Sequence, residues 1–254
     1  MARKFYKQKN NWISMKISIY WPTRKRAHSL MVSLSSYIMN ATNNEQIEYI
    51  VIIDDDDTES AKALNEAKII FKASHNVNIK IFTVERLGYA KLHHYHNLAA
   101  MHFTGDCLLE RNDDHFCLTR GWDDKVRESI YPYKDEPIVI HQKGKNEGVW
   151  WATAPGINRK WYEVSTNNGE IGAFADVGID VWLLRYAEQS GMKVIKAGYD
   201  MMSMQRGAEH AGKIAGDQLP DDDVLNDRRV AQKISEPDVR ERLIQNLKNW
   251  KDEN

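Results

Sequence analysis

Residues 47–57 read IEYIVIIDDDD, an apolar run rich in β-branched and aromatic residues that stops at four successive aspartates. A run of this length and composition, bounded by a polar stop, predicts a buried β-strand. Asp57 or Thr58 then caps a helix that carries Ala61, Leu64 and Ala67 on one face. The same alternation extends in both directions. Upstream, KISIYW (16–21) predicts a strand ended by Pro22, and Leu30, Leu34 and Ile38 recur at helical spacing. Downstream, VNIKIFTV (77–84) predicts a third strand, residues 87–103 a turn and a helix, and CLLER (107–111) a fourth strand. The order β-α-β-α-β-α-β predicts a mainly parallel sheet with right-handed crossovers.

Beyond residue 119 the pattern loosens. TRGWDDKVRESI (119–130) predicts a short helix capped by Thr119. EPIVIHQ (136–142) and GVWWATA (148–154) predict two strands of a smaller mixed sheet. A helix is expected over 178–189, one or two short strands over 193–204, and a terminal helix over 236–250 with Pro237 in its first turn. No internal repeat or low-complexity linker interrupts the chain, so a single α/β domain spanning 1–254 is expected.

Composition narrows the class. The 254 residues are 42% apolar and 28% charged, the ordinary globular range. Cys107 and Cys117 form neither a disulfide framework nor a zinc-type spacing, which favours a reducing, cytoplasmic setting. No apolar run approaches the roughly 20 residues that span a bilayer. The basic N-terminus lacks the apolar core of a signal peptide. Charge is uneven: residues 1–44 hold eight Lys or Arg and no acid, leaving 27 basic and 36 acidic residues in the other 210. Such asymmetry suits a phosphate-binding end or a basic patch that balances an acidic tail.

In an open parallel sheet, ligands bind at the carboxyl ends of the strands. Four such ends here carry polar clusters: PTRKR (22–26), DDDD (54–57), ERLGYAK (85–91) and NDDH (112–115). The adjacent carboxylates Asp113 and Asp114 repel each other unless a metal ion, a basic side chain or open water sits beside them. A dinucleotide fingerprint is absent. GAEHAGKI (207–214) has the spacing of a phosphate loop, but Ile214 stands where a Ser or Thr must bind Mg2+. His93 and His96 share a helix face, yet neither a cysteine nor a third well-spaced ligand completes a zinc set.

The blocks ISIYWPTRKR, IEYIVIIDDDD, LGYAKLHHYHN, LLERNDDHF and GWDDKV, in that order, resemble those of GT-A glycosyltransferases, the family 2 type especially and its small bacteriophage members. The resemblance covers roughly residues 16–210. It implies a nucleotide-binding half over about 16–118 and an acceptor and catalytic half over about 119–254. It implies a nucleotide-diphosphate sugar donor, UDP-sugar favoured, and Mn2+ or Mg2+. Pro22, Thr23, Arg24 and one of Asp54, Asp55 and Asp56 match the wall around the nucleotide base. Tyr89, Lys91 and Asn97 match positions near the nucleotide and its phosphates. Asn112, Asp113 and Asp114 match the acidic metal motif, Asp114 as the metal ligand, with Asn112 a departure in its first position. His115 is a further possible ligand.

GIDVWLLRYAEQSGMKV (178–194) resembles the family's Glu-Asp block, with Ile179 in place of the Glu. Asp180 matches the carboxylate that accepts the acceptor's proton if configuration inverts, and Asp176 is a close rival. MQRGAEHAGK (204–213) resembles the C-terminal block, which implies His210 as a second metal ligand and Arg206 or Lys213 against the diphosphate. Trp150 and Trp151 fall where acceptors dock. Bacteriophage members suggest a hydroxymethylated DNA base as acceptor, the chain then working in the host cytoplasm. A cytosolic enzyme of surface-glycan synthesis, a non-catalytic nucleic-acid-binding module and a metal-dependent nuclease are the alternatives, and the oligomeric state is open.

Overall fold

A computed structural model of the chain describes residues 12–142, 154–203 and 235–254. The first strand, β1 (Ile17–Thr23), is central. β2 (Ile47–Asp54) and β4 (Cys107–Glu110) flank it in parallel, and β3 (Ile79–Val84) pairs in parallel with β2. Between them run α1 (Ala27–Asn40), α2 (Thr58–His75) and α3 (Leu92–His102). The strict alternation of buried residues assigns the faces. Ile17, Ile19, Trp21, Tyr49, Val51 and Ile53 pack on one side with Leu34 of α1 and Leu64 of α2. Tyr20, Ile50, Ile52 and Leu108 pack on the other with Tyr95 and Ala99 of α3.

The second half completes both layers. β5 (His115–Cys117) leads to α4 (Trp122–Ile130), which packs on the α1 side. β6 (Ile138–His141) and β7 (Gly156–Asn158) are antiparallel to each other, and β7 is antiparallel to β4. They therefore extend the main sheet rather than forming a sheet of their own. Ile138, Val139 and Ile140 are all buried, which suits a strand covered on both faces. α5 (Arg159–Ser165), α6 (Ile179–Ser190) and α7 (Pro237–Glu253) cover the α3 side. β8 (Lys193–Lys196) pairs in parallel with β6, giving the order β3-β2-β1-β4-β7-β6-β8. The small sheet is the antiparallel pair of β5 with β9 (Met201–Ser203). Of the segment 148–154 expected as a strand, residues 148–153 lie outside the described residues.

Local signals resolve as follows. Asp57, not Thr58, caps α2, its side chain accepting from the Ser60 N–H at 3.1 Å. Thr119 does not cap α4. The cap position is Gly121 at φ 71°, and the Thr119 hydroxyl accepts from the Asp200 N–H at 2.8 Å instead. Gly191, at φ 68°, closes α6 in the left-handed conformation that glycine adopts without strain. Among the described residues no helix is long and apolar enough to cross a membrane.

Candidate active site

The turn after β1 is a set of ion pairs. Arg24 binds Asp54 at 2.9 Å and grips both oxygens of Asp56. That bidentate contact holds the Asp56 carboxyl below its ordinary range. Tyr95 of α3 donates to the other oxygen of Asp54. Asp55 is exposed, its N–H donating to the Val84 carbonyl at 2.8 Å. Arg26 contacts Asp113 at 2.6 Å and the Thr23 hydroxyl donates to the same carboxylate at 2.8 Å. A basic side chain therefore makes Asp113 tolerable beside Asp114. Pro22 remains within β1, opposite Ile52.

The segment after β4 carries the acidic motif. Asn112 is exposed, while Asp113 and Asp114 are buried. His115 is fully buried. Burial first, then Arg111 and Arg26, press its ring down to about 3, so it is neutral at physiological pH. Its Nε2 lies 3.9 Å from Asp114 and 3.3 Å from the Asn112 amide.

Sequence reasoning missed Glu110, the last residue of β4, which is only 4% exposed. Burial pushes its carboxyl well above the glutamate range. Arg111 opposes that rise, and Asp180, Asp114 and Asp113 add to it. An acid closing a four-residue apolar strand was the available signal. Acids from the loop behind β4 and from the first turn of α6 thus act on Glu110 at the carboxyl end of β4.

Asp180 sits in the first turn of α6, half-buried, where the helix dipole favours an anion. Asp176 has a different setting. It is 2% exposed, ion-paired with Arg240 of α7, and takes the Tyr186 hydroxyl as a further donor. Asn97 has both ends of its amide on the Phe174 backbone, at 2.9 and 2.8 Å. A Cβ on Gly172 would come within 2.8 Å of that amide, so the close packing fixes the segment leading to Asp176. Tyr89 and Lys91 form a 3-10 turn ahead of α3, with Lys91 exposed. Trp150, Trp151, Arg206, His210 and Lys213 lie outside the described residues.

The donor set is one of carboxylate oxygens, the chemistry of Mg2+ and Mn2+. Among the described residues no three of these acids bring donor atoms within 4.8 Å of one another. That arrangement fits an ion held by one or two carboxylates and completed by substrate phosphates, and it does not fit an all-protein cage.

No protein-family model matches the chain, and no curated protein matches it. Solved structures do. TarS of S. aureus, residues 1–349, superposes with a TM-score of 0.53 at 13% identity, over 74% of this chain and 59% of that one. The same TarS fragment in complex with UDP gives 0.54 at 13% identity over the same shares. The mannosyltransferase PcManGT from Pyrobaculum calidifontis, in complex with GDP-Man and Mn2+, gives 0.53 at 15% identity, over 77% of this chain and 65% of that one. The chain thus spans under two thirds of the length of these neighbours. The fold is that of GT-A glycosyltransferases.

Proposed function

We propose that this chain is a metal-dependent glycosyltransferase that moves a sugar from a nucleotide-diphosphate sugar to an acceptor hydroxyl. The observation that carries the reading is the acidic cluster: Asp113, Asp114 and Asp180 all lie close enough to Glu110, at the carboxyl end of β4, to act on its charge. UDP-sugar is the favoured donor, as TarS is solved with UDP.

Each residue's chemistry follows from its setting. Arg24, fixed by Asp54 and Asp56, presents a rigid polar wall to the nucleotide base. Asp113, held by Thr23 and Arg26, positions the loop. Asp114, together with His210, would hold Mn2+ or Mg2+, which when bound offsets negative charge on the departing diphosphate. Arg206 or Lys213 would lie against that diphosphate. Asp180 takes the proton of the acceptor hydroxyl in an inverting transfer. Asp176, engaged with Arg240 and Tyr186, positions the start of α6 rather than moving a proton.

For the acceptor we propose a hydroxymethylated base in DNA, as in bacteriophage genomes, with Trp150 and Trp151 as stacking faces. Its support is the acid-free, basic stretch 1–44. Arg24 and Arg26 already face carboxylates of the protein, so this reading rests on Arg3, Lys4, Lys7, Lys9, Lys16 and Lys25.

The test is a screen of nucleotide sugars for transfer and hydrolysis, with Mn2+ and with excess chelator. Turnover that requires the ion, and that falls about 10²–10³-fold in Asp114→Asn, is the expected result. Full activity in chelator would overturn it. Binding to modified duplex DNA across a salt series tests the acceptor, because phosphate contacts make affinity fall steeply with salt.

A further inference from the structure

His93 poses a separate problem. It is 1% exposed, and neither ring nitrogen has a hydrogen-bond partner. Buried polar atoms in folded proteins almost always have one. The neighbouring His96 does, its Nδ1 facing the Tyr20 hydroxyl at 2.9 Å. The nearest ion-pair partner of His93 is Glu236, 3.7 Å from Nε2, too far for a hydrogen bond.

His94 adds to the anomaly. Side chains one residue apart on a helix point away from each other. Here the two rings converge, with centroids 4.2 Å apart and planes 35° apart. One donor atom from each of His93, His94 and Glu236 lies within 4.8 Å of the others.

The geometry points to a binding site for one transition-metal ion of the Zn2+ class, held by His93 and His94 at the start of α3 and by Glu236 at the start of α7. Tetrahedral Zn2+ sets its ligand atoms roughly 3.3 Å apart. Glu236 already lies 3.7 Å from His93, and closing the set needs movement only of His94, which is exposed, and of Glu236, whose side chain is 40% exposed. Buried His93 stays in place and gains the partner it lacks. Two imidazoles and one carboxylate favour Zn2+ over Mg2+ or Mn2+, so the site differs in chemistry from the oxygen-lined acidic cluster. A fourth position is left for water.

The ion would fasten α3 to the entry of α7. Glu236 also donates its N–H to the Ala175 carbonyl at 2.9 Å, and Ser235 pairs with Asp176. The same ion would therefore clamp the segment that leads into α6.

The test is equilibrium dialysis of the full chain, stripped of metal, against Zn2+ in excess Mg2+. Wild type and Asp114→Asn are expected to retain one Zn2+ per chain. His94→Gln and Glu236→Gln alter exposed or half-exposed side chains that folding tolerates. Each should weaken binding beyond the roughly 10–100-fold that loss of a mere supporting group costs. X-ray absorption of the Zn2+-loaded wild type should show two imidazoles. Failure of wild type to retain Zn2+ would overturn the inference. So would unchanged binding in both variants, or loss in Asp114→Asn alone.

Discussion

Two buried glutamates flank β1, and they are built in opposite ways. Glu48 of β2 lies opposite Ser18 and Glu110 of β4 lies opposite Tyr20. They are equally hidden, at 5% and 4% exposure. Glu48 accepts from the Ser18 hydroxyl, from the Thr104 N–H at 2.8 Å and hydroxyl at 3.0 Å, and pairs with Lys80. Burial opposes its ionisation, but Lys80, Ser18 and Thr104 outweigh burial and hold its carboxyl low. Glu110 is pushed up by burial and then by Asp180, Asp114 and Asp113, with Arg111 only a partial offset. Both are hidden from solvent, but Glu110 lies deeper in the protein, so depth and partners act together to raise the one and lower the other. Near the start of the strands the partners serve stability; at the carboxyl edge, negative charge is gathered at the expense of stability.

Asp176 and Asp180, four residues apart, repeat the contrast, and they allow the largest test of it. Asp180→Asn is expected to lower kcat about 10²–10⁴-fold while a nucleotide sugar still raises Tm. Asp176→Asn should instead cost about 2 kcal/mol in denaturant unfolding, because Arg240 and Tyr186 lose a charged partner. Equal kinetic losses with no stability difference would erase the distinction.

Next in size is Glu48→Gln, expected to destabilise by roughly 1.5 kcal/mol at neutral pH with transfer unaffected. The folded-state carboxyl of Glu48 lies below its ordinary value. Its contribution is therefore complete above the ordinary glutamate value of about 4.3 and is lost as pH falls through the folded-state value. Tm against pH should show a shallower acid limb in the variant.

The last comparison is Glu110→Gln without metal, and its sign is the informative part. A raised folded-state carboxyl stabilises fully below the ordinary glutamate value, and that stability is lost as pH rises through the folded-state value. The variant should match wild type in acid and be the more stable of the two towards neutral pH. A loss resembling that of Glu48→Gln would show that the two glutamates are equivalent after all.

Much of the first half was legible because its signals are local. The first three strands, of 6–8 residues, alternate with helices of 11–18 residues, and Leu34, Leu64 and Val51 announce their burial by spacing alone. β6, β7 and β8 span only three or four residues. Whether so short a run extends one sheet or founds another depends on a distant partner, as β7 depends on β4. The site divided along the same line. Acids at strand ends could be read from the chain, but which were already neutralised could not.

The order of strands and helices, the polar stops at their ends and the uneven charge are properties of the chain itself, because periodicity and turn chemistry act over a few residues. Tertiary structure alone decided that Arg26 answers Asp113, that Arg240 claims Asp176 across 64 residues, and that Glu236 rather than His96 completes a set with His93 and His94. Electrostatic fate depends on distance in space and on burial, and neither is encoded in sequence spacing.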